Sequence, residues 1–386
     1  MLTKQASKFS LNKGSTYLNC AYMSPLLKTV EKAGLEGMLR KRNPAEISTD
    51  DFFTDTELLR TEFAHLINTK ESKRVVIIPS VSYGLANVAN NLKLKKGQHV
   101  IVASEQFPSN YYPWQTLSDV VGAQVKVVAP PDDFKNRGKI WNERILDAIN
   151  NKTRAVAIGH IHWADGTLFD LQKIRKRTRE VGALLIIDGS QSVGALPFDI
   201  RKIQPDALVT AGYKWLLGPY SLGLAYYGEY FDKGKPIEEN WINRINSENF
   251  ADLVKYQKQY QPGALRYEVG EHSNFILLPM LLGAIRQIND WGVTEIQNYC
   301  KQITADSLNK LEAIGYLIEK EKYRASHLFG IRPANGVSIE SLKEALSINK
   351  ISVSIRGNAI RVSPHLYNDE ADMKKLTRVL ADVVKY

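Results

Sequence analysis

Two residues of complementary chemistry, Asp188 and Lys214, each follow a predicted buried strand. Residues 183–187 form a continuous apolar run that is typical of a strand buried on both faces, and Asp188 ends it. A second apolar run, residues 207–210, comes shortly before Lys214. Because ligands of open α/β sheets bind outside the carboxyl ends of the strands, both side chains are expected to face one crevice. An amine that can attack an aldehyde and an acid that can pair with a ring nitrogen together suit pyridoxal phosphate.

In such a crevice each side chain would have a definite role. Lys214 would form a Schiff base with the cofactor aldehyde, exchange it for the substrate amine and shuttle the α-proton. Because the attacking amine must be neutral, we expect desolvation and neighbouring positive charge to lower its pKa from the usual value of about 10.4. Asp188 would keep the ring nitrogen protonated, and Gln191 could donate a hydrogen bond to the phenolic oxygen. The Asp–Lys spacing taken alone fits better with Asp188 as a helix N-cap and Lys214 as a surface charge. The prediction of a cofactor site therefore depends on the other elements that end near this crevice.

A turn of small polar residues, Ser80, Val81 and Ser82, connects a predicted strand at residues 75–78 to a predicted helix at residues 85–92. The first N–H groups of a helix lack intrahelical partners and the helix dipole favours negative charge there, so this turn could hold a phosphate. A plain serine N-cap is the alternative. The chain carries no Walker pattern and no G-x-G-x-x-G, so nucleotide binding is not supported.

Aromatic and histidine residues follow two further predicted strands at the same edge of the sheet. The loop 105–114 contains Phe107 and follows a strand at residues 99–103, so one of its aromatic rings could stack on a flat cofactor. His160 and His162 share one face of the next strand by period two. Because no third ligand is evident, we expect no metal site, and the two histidines are interpreted as a site wall or as hydrogen-bonded core residues.

The order of predicted elements indicates an α/β fold with two domains. Strands alternate with helices from residue 75 to 228, the signature of a wound, mainly parallel sheet. We predict a large cofactor-binding domain over residues 16–250 and a smaller α+β domain over residues 251–386, with residues 1–15 packing on the small one. In the second domain we expect one long helical region from residue 275 to 314.

The C-terminal part of the chain ends in a predicted hairpin and helix. Residues 351–355 alternate cleanly between apolar and polar, Gly357 and Asn358 form a tight turn, and residues 359–362 return. Asn368 and Asp369 are expected to cap the final helix.

Composition excludes several classes of protein. The 386 residues carry a net charge of +10, but the basic residues are scattered along the chain, which does not indicate nucleic-acid binding. No apolar run is long enough to span a bilayer and the N-terminus has no apolar signal-peptide core, so we expect a cytoplasmic protein without a membrane partner. Cys20 and Cys300 stand far apart, which indicates neither a disulfide framework nor a zinc site.

Three sequence elements resemble those of the class V aminotransferase group of fold type I pyridoxal phosphate enzymes. They are the D-x-x-Q element at Asp188 and Gln191, the Gly-Tyr-Lys segment ending at Lys214 with Gly-Pro behind it, and residues 360–365. This group includes cysteine desulfurases, kynureninases and isopenicillin N epimerase-like proteins. The resemblance implies that Lys214 is the Schiff-base lysine, Asp188 the pyridinium partner and Tyr213 a phosphate ligand. It also implies that Arg361 binds the substrate α-carboxylate, a role that suits a bidentate guanidinium.

The same resemblance implies two further assignments. Phe107 looks like the residue that stacks on the cofactor ring in kynureninase-like members. Residues 270–274 are similar to the segment through which a partner subunit reaches the phosphate, which implies a homodimer with shared sites. The usual threonine of that segment is absent, and Ser273 or His272 could take its place.

The departures from the family pattern narrow the expected reaction. Residues 347–360 contain no cysteine, so desulfuration by a nucleophilic cysteine is disfavoured. Trp163 stands where many relatives have an asparagine near the phenolic oxygen. Arg356, at the hairpin, could add to a pocket for an acidic substrate or could be a solvated turn residue.

We therefore predict an aminotransferase that acts on an α-amino acid. The alternatives are an amino-acid epimerase or a kynureninase-like C–C lyase, and a non-catalytic ligand-binding relative is less favoured because Lys214 and Asp188 are both present.

Overall fold

The computed structural model describes residues 2–12, 14–132, 134, 136–334 and 336–384, and every structural statement below concerns these residues. It contains one large sheet, one small sheet and a pair of short strands that joins the two ends of the chain. In chain order the strands are β1 (Thr16–Tyr17), β2 (Val75–Ile78), β3 (His99–Ala103), β4 (Gln124–Val128), β5 (Thr153–Gly159), β6 (Leu184–Asp188), β7 (Ala207–Ala211), β8 (Gly223–Tyr227), β9 (Leu317–Ile318), β10 (Phe329–Arg332), β11 (Ile351–Ser352), β12 (Ser354–Arg356) and β13 (Ala359–Val362).

The large sheet has seven strands in the order β2-β8-β7-β6-β5-β3-β4. Strands β4, β3, β5, β6 and β7 are mutually parallel, and β8 is antiparallel to both of its neighbours. The mainly parallel wound sheet that the sequence predicted is therefore confirmed.

Both faces of the large sheet are buried, which explains the continuous apolar runs of its strands. In β2, Val75 and Ile77 pack into one core and Val76 and Ile78 into the other. The alternation follows from the period of two along a strand. Helices cover the two faces, as parallel sheets require.

The helices are α1 (Lys28–Arg40), α2 (Thr54–Leu66), α3 (Val81–Asn91), α4 (Tyr112–Val121), α5 (Arg137–Ala148), α6 (Leu171–Glu180), α7 (Ile200–Ile203), α8 (Leu277–Trp291), α9 (Val293–Ala313), α10 (Ile339–Ile348) and α11 (Glu370–Val384). The single helical region predicted for residues 275–314 is two helices, because Gly292 with φ 75° separates α8 from α9. The predicted cap of the last helix is confirmed, since Asp369 Oδ1 accepts from the Ala371 and Asp372 amides at 2.9 and 3.1 Å. No helix in the described part of the chain is both long and apolar enough to cross a membrane.

The small sheet is antiparallel, in the order β12-β13-β10-β9. The run at residues 351–355, predicted as one strand, is divided at Val353. Its first half, β11, pairs in parallel with β1 near the N-terminus, and its second half, β12, forms the hairpin with β13. The division arises because the N-terminal segment competes for the first half of the strand.

The division of the chain into domains at residue 250 stays a prediction. Helix α8 packs against α1 and α2, and its buried residues share a core with one face of the large sheet. Phe9 packs against Trp291, the last residue of α8, and against Tyr367, which lies between β13 and α11. The N-terminal residues therefore contact both α8 and the segment that follows β13.

Candidate active site

A cavity of about 270 Å³ lies at the carboxyl ends of β6 and β7. It contains Lys214 and Asp188 together, as the positions of these residues after neighbouring strands predicted. Its lining consists of Pro79, Ser80, Val81, Ser82, Phe107, Ser109, Trp163, Asp188, Ser190, Gln191, Ala211, Tyr213, Lys214, Tyr220, Ser221 and Leu222. We call this cavity the crevice.

Lys214 lies on a loop whose shape is set by backbone hydrogen bonds. The Gly218 amide donates to the Gly212 carbonyl at 2.9 Å, and the Leu217 amide donates to the Lys214 carbonyl at 3.1 Å. The Gly212 amide donates to the Leu222 carbonyl at 2.8 Å, which ties the start of the loop to the start of β8. A β-carbon at Gly212 would lie 2.5 Å from that same carbonyl oxygen, so the approach requires glycine. The local sequence thus holds Lys214 immediately beyond β7.

The amine of Lys214 is withdrawn from water, since the residue is only 8% exposed. Burial lowers the pKa of Lys214 to about 8; Asp188 opposes the shift, and the guanidinium groups of Arg361 and Arg356 add to it. Nζ lies 5.5 Å from the centroid of the Phe107 ring. The lowered pKa expected for an amine nucleophile is therefore present.

Asp188 and Gln191 border the crevice on the side of β6. Asp188 Oδ1 accepts a hydrogen bond from the Ser190 amide at 3.0 Å. Gln191 is buried; its Oε1 accepts from Trp215 Nε1 at 2.9 Å and its Nε2 donates to the Ala21 carbonyl at 3.2 Å. An amide nitrogen carries two hydrogens, so one N–H of Gln191 remains for a ligand.

The N-terminus of α3 also lines the crevice. Ser80 caps the helix, because its Oγ accepts from the Tyr83 amide at 3.2 Å, and it lies 2.8 Å from Ser82 Oγ. The helix begins at Val81, four residues earlier than predicted, since the cap brings the polar turn into the first helical turn. The amides of Val81 and Ser82 have no acceptor within the helix at this position. Ser80 is thus both an N-cap and part of the crevice, so the two interpretations of the sequence are compatible.

Aromatic rings form the remaining walls. The centroids of Phe107 and Trp163 are 5.3 Å apart with the ring planes at 78°, and those of Tyr213 and Tyr220 are 4.6 Å apart. Trp163 Nε1 donates to the Glu105 carbonyl at 2.6 Å, so this indole holds the aromatic loop in place. Burial raises the pKa of Tyr213, which keeps its phenol protonated.

Arg361 lies on β13 and is 1% exposed. Its Nη1 donates to the Trp163 carbonyl at 2.8 Å and its Nη2 to Ser354 Oγ at 3.2 Å, whereas Nε is buried without a partner. Burial, followed by the charge of Arg356, lowers the pKa of Arg361 to about 10, so the guanidinium is still charged at neutral pH. Arg361 is not part of the crevice lining but adjoins it through Trp163.

Ser273 does not line the crevice of its own chain, although it is buried. His272, the other residue considered at that position, is held by its own surroundings: Nε2 lies 3.1 Å from the Phe52 carbonyl and Nδ1 lies 3.3 Å from Glu268 Oε1. Glu268 in turn pairs with Arg60. His272 is therefore a core histidine of this segment, which leaves Ser273 as the candidate for a contact made across a subunit boundary.

Neither of the two histidines near β5 lines the crevice. His162 Nδ1 lies 3.1 Å from Asp165 Oδ1 and Nε2 lies 3.1 Å from the Ser104 carbonyl. His160 borders a separate cavity of about 670 Å³ that none of the predicted site residues line, and burial lowers its pKa to about 4. In the part of the chain that the structure describes, no group of three or more His, Cys, Asp or Glu side chains is placed to hold a metal ion.

Residues 19–24 connect the two halves of the site, which sequence reasoning missed. The Ser24 amide donates to the Tyr213 carbonyl at 3.0 Å, and the Cys20 amide donates to the Ser363 carbonyl at 3.1 Å. Asn19 Oδ1 accepts from Ser354 Oγ at 2.8 Å, and Ser354 in turn holds Arg361. The segment thus fixes the strand of Arg361 against the loop of Lys214.

Ser190 and Tyr220 also line the crevice and were not predicted. Ser190 Oγ accepts from the Ala211 amide at 3.2 Å, which links the end of β6 to the end of β7. Their positions in the sequence could have indicated both residues. Ser190 comes two positions after Asp188, and Tyr220 directly follows the Gly-Pro pair behind Lys214.

The wound, mainly parallel sheet with a small antiparallel sheet near the C-terminus is the fold of type I pyridoxal phosphate enzymes. The sequence model of the family "Aminotransferase class-V" matches residues 46–379. The chain therefore belongs to the class V aminotransferase family.

Two relatives align with most of the chain. The uncharacterized aminotransferase YcbU of Bacillus subtilis is 30% identical over 324 residues, which cover 83% of this chain and 81% of that protein. A probable cysteine desulfurase of Methanothermobacter thermautotrophicus is 34% identical over 351 residues, which cover 84% of this chain and 82% of that protein.

Two solved structures share the fold along nearly the whole chain. The apo cysteine desulfurase from Thermococcus onnurineus NA1 superposes with a TM-score of 0.83 at 20% identity and covers 100% of this chain and 99% of that one. A mutant of C-DES with glycine covalently linked to the PLP cofactor superposes with a TM-score of 0.85 at 19% identity, covering 99% of this chain and 100% of that one.

Proposed function

We propose that this protein is an aminotransferase that acts on an α-amino acid, with Lys214 as the residue that binds pyridoxal phosphate covalently. One observation carries the proposal: a buried lysine with a lowered pKa shares a cavity with an acid and with the N-terminus of a helix. Membership of the class V family and similarity to YcbU support it.

The residues present fit the cofactor chemically. The first turn of α3, with the hydroxyls of Ser80 and Ser82, offers unpaired amides and a dipole to a phosphate. Tyr213 supplies a protonated phenol to the same phosphate. Asp188 would pair with the ring nitrogen and the free N–H of Gln191 would reach the phenolic oxygen.

The bound cofactor would supply an aldehyde carbon for the amino group and a ring that withdraws electrons from the adjacent carbon. Lys214 provides a neutral amine at mildly alkaline pH, and its Nζ would hold the α-proton of the substrate. Asp188 would keep a proton on the ring nitrogen, and Phe107, which packs edge to face against Trp163, would provide a flat apolar face for the ring.

Arg361 provides the binding site for the α-carboxylate. Its guanidinium is charged and buried, and its Nε has no partner among the described residues. A buried N–H without an acceptor costs free energy, which a carboxylate would recover. The hydrogen bonds from Arg361 to Trp163 and Ser354 fix the orientation in which that carboxylate is received.

Cysteine desulfurases among the similar proteins raise the question of a sulfur-transfer reaction. Desulfuration by a nucleophilic cysteine would require a thiolate within residues 347–360, and that segment contains no cysteine. Cys20 and Cys300 are both fully buried, and burial raises the pKa of Cys20 to about 12. Neither thiol lines the crevice, so we favour transamination.

We further propose a homodimer in which Ser273 of one subunit reaches the phosphate of the other. Ser273 does not line its own crevice, so a contact with a cofactor phosphate would have to be made in the crevice of another subunit. The segment that carries it leads into α8, beside the exposed Ile276.

A test of the function is to mix the holoenzyme with single amino acids. Transamination predicts conversion of the cofactor to its amine form together with a 2-oxo acid. Racemised substrate would instead indicate an epimerase, and released alanine a kynureninase-like lyase.

Borohydride reduction followed by mass spectrometry should place the cofactor on Lys214. The variant Lys214→Ala should lose this label, whereas Lys176→Ala on the exposed face of α6 should keep it. Covalent labelling that persists in Lys214→Ala would contradict the proposal.

A further inference from the structure

Arg356 is a second guanidinium near the crevice, and within the described ranges it forms no ion pair with an acid. It is the last residue of β12 and is half-buried. Its Nη1 donates only to the neighbouring Ile355 carbonyl at 2.8 Å, and its Nε is buried without a partner. A solvated turn arginine would not have a buried Nε, so this charge is partly withdrawn from water and remains uncompensated.

The register of the hairpin places Arg356 and Arg361 on one face. Ser354 lies directly opposite Arg361 across the β12–β13 pair, so the two side chains share a face, as their hydrogen bond at 3.2 Å shows. Arg356 comes two residues after Ser354 and therefore points to the same face. The two guanidinium groups are thus diagonal neighbours on the hairpin.

Trp163 joins both arginines to the crevice. The Cζ atom of Arg356 lies 5.4 Å from the centroid of the Trp163 ring, and Arg361 donates to the backbone carbonyl of the same residue. The ring of Trp163 lines the crevice beside Phe107. Arg356 therefore lies against a ring that lines the same cavity as Lys214.

The positive charges at this end of the crevice outnumber the negative ones. Arg356 lowers the pKa of both Lys214 and Arg361, and the acid that opposes the shift at Lys214 is Asp188. Like charges on one face of a hairpin destabilise it, and Arg361 alone is enough for one carboxylate. The arrangement is therefore accounted for by a ligand with two anionic groups.

We infer that Arg356 binds the side-chain carboxylate of a dicarboxylic amino acid whose α-carboxylate is bound by Arg361. This assignment rests on the proposed function, because it places the substrate in the crevice of Lys214. It makes Arg356 a specificity-determining residue.

The test compares isosteric substrates that differ in charge. Equilibrium binding to the holoenzyme is followed by the change in cofactor absorbance with L-aspartate against L-asparagine and with L-glutamate against L-glutamine. Because a charge-assisted hydrogen bond is lost with the amide, we expect the wild type to prefer at least one acid by roughly 10-fold or more. Arg356→Gln should reduce that preference to about unity without weakening asparagine or glutamine. Arg356→Lys, which keeps the charge but not the fork, should retain part of it. Arg201→Gln, which removes an exposed charge on α7, should leave the preference unchanged.

The outcomes separate the two proposals. A spectral change with amino acids but equal affinity for acid and amide, or a preference that survives in Arg356→Gln, would overturn the role of Arg356 and leave the proposed function intact. The absence of any spectral change with every amino acid would overturn the proposed function and this assignment with it.

Discussion

Burial of the Lys214 amine determines the pH at which it becomes reactive. An amine is nucleophilic only when neutral, and it is neutral above its pKa; because burial lowers the pKa of Lys214 to about 8, the neutral fraction is large well below pH 10. We expect the rate at which the apoprotein captures pyridoxal phosphate, followed by absorbance, to rise with pH, with a midpoint near pH 8, and to level off about one pH unit higher. A rate that keeps rising through pH 10 would contradict this expectation.

Two variants that should shift the pKa of Lys214 in opposite directions provide the control for this pH profile. Asp188 raises the pKa of Lys214, so Asp188→Asn should move the midpoint to lower pH. Arg356 lowers that pKa, so Arg356→Gln should move the midpoint to higher pH. Shifts in the same direction would show that the midpoint belongs to another group.

At the scale of single residues, the sequence predicted which residues belong to the candidate site better than it predicted their hydrogen-bond partners. Lys214 and Asp188 could be found because each follows an apolar run that is typical of a buried strand, and strand ends converge in such sheets. The contacts of Arg361 with Ser354 and with the Trp163 carbonyl could not be found, because they join residues 7 and 198 positions apart in the chain. The position of Trp163 in the family pattern likewise gave no indication that its indole would donate to Glu105.

Among the elements, α3 offers the sharpest test because its cap and its ligand site involve the same serine. Ser80→Ala removes the hydroxyl that accepts from the Tyr83 amide, which should cost about 1 kcal/mol of the free energy of unfolding. It should also weaken pyridoxal phosphate binding, since one of the groups proposed to hold the phosphate is lost. Thermal or denaturant unfolding of the apoprotein and titration with the cofactor measure the two effects separately.

The chain contains a matched control for that prediction. Ser338 caps α10 in the same way, with its Oγ accepting from the Ser341 amide at 3.0 Å and lying 2.9 Å from a second serine hydroxyl. Ser338→Ala should therefore cost a similar free energy of unfolding and leave the cofactor affinity unchanged. Equal losses of affinity in both variants would remove Ser80 from the phosphate site.

At the scale of elements, strands were easier to predict than boundaries between helices. The strands of the large sheet are buried on both faces, and their apolar runs indicate this directly. The early start of α3 and the break between α8 and α9 at Gly292 were missed, because a polar turn and a single glycine are each compatible with either outcome. Strand β11 was joined to β12 because its partner, β1, lies more than 300 residues away.

On the scale of the whole molecule, α1 presents an exposed apolar stripe. Leu35, Met38 and Leu39 are 60%, 51% and 39% exposed, at a spacing that places them on one side of the helix. The other side packs against the residues just before α8, since a β-carbon at Gly37 would clash with the Phe275 carbonyl oxygen. The helix that carries the stripe therefore packs against the segment that follows Ser273, and an exposed apolar stripe on that helix supports a second copy of the chain as the partner in the proposed homodimer.

If each active site is shared between two subunits, two variants that each fail to attach the cofactor should complement one another in hybrid dimers. Ser273→Asp should repel the cofactor phosphate, and Lys214→Ala should prevent covalent attachment, so neither variant should form reducible cofactor adduct by itself. When the two variants are mixed and allowed to exchange subunits, about half of the dimers are hybrids, and one of the two sites in each hybrid combines an intact Lys214 with an intact Ser273 from the other chain. Borohydride-reducible adduct should therefore return to about one quarter of all sites. If Ser273 acted within its own subunit, every site of the hybrid would carry one lesion and no adduct would return. Mixing each variant with itself under the same conditions provides the baseline.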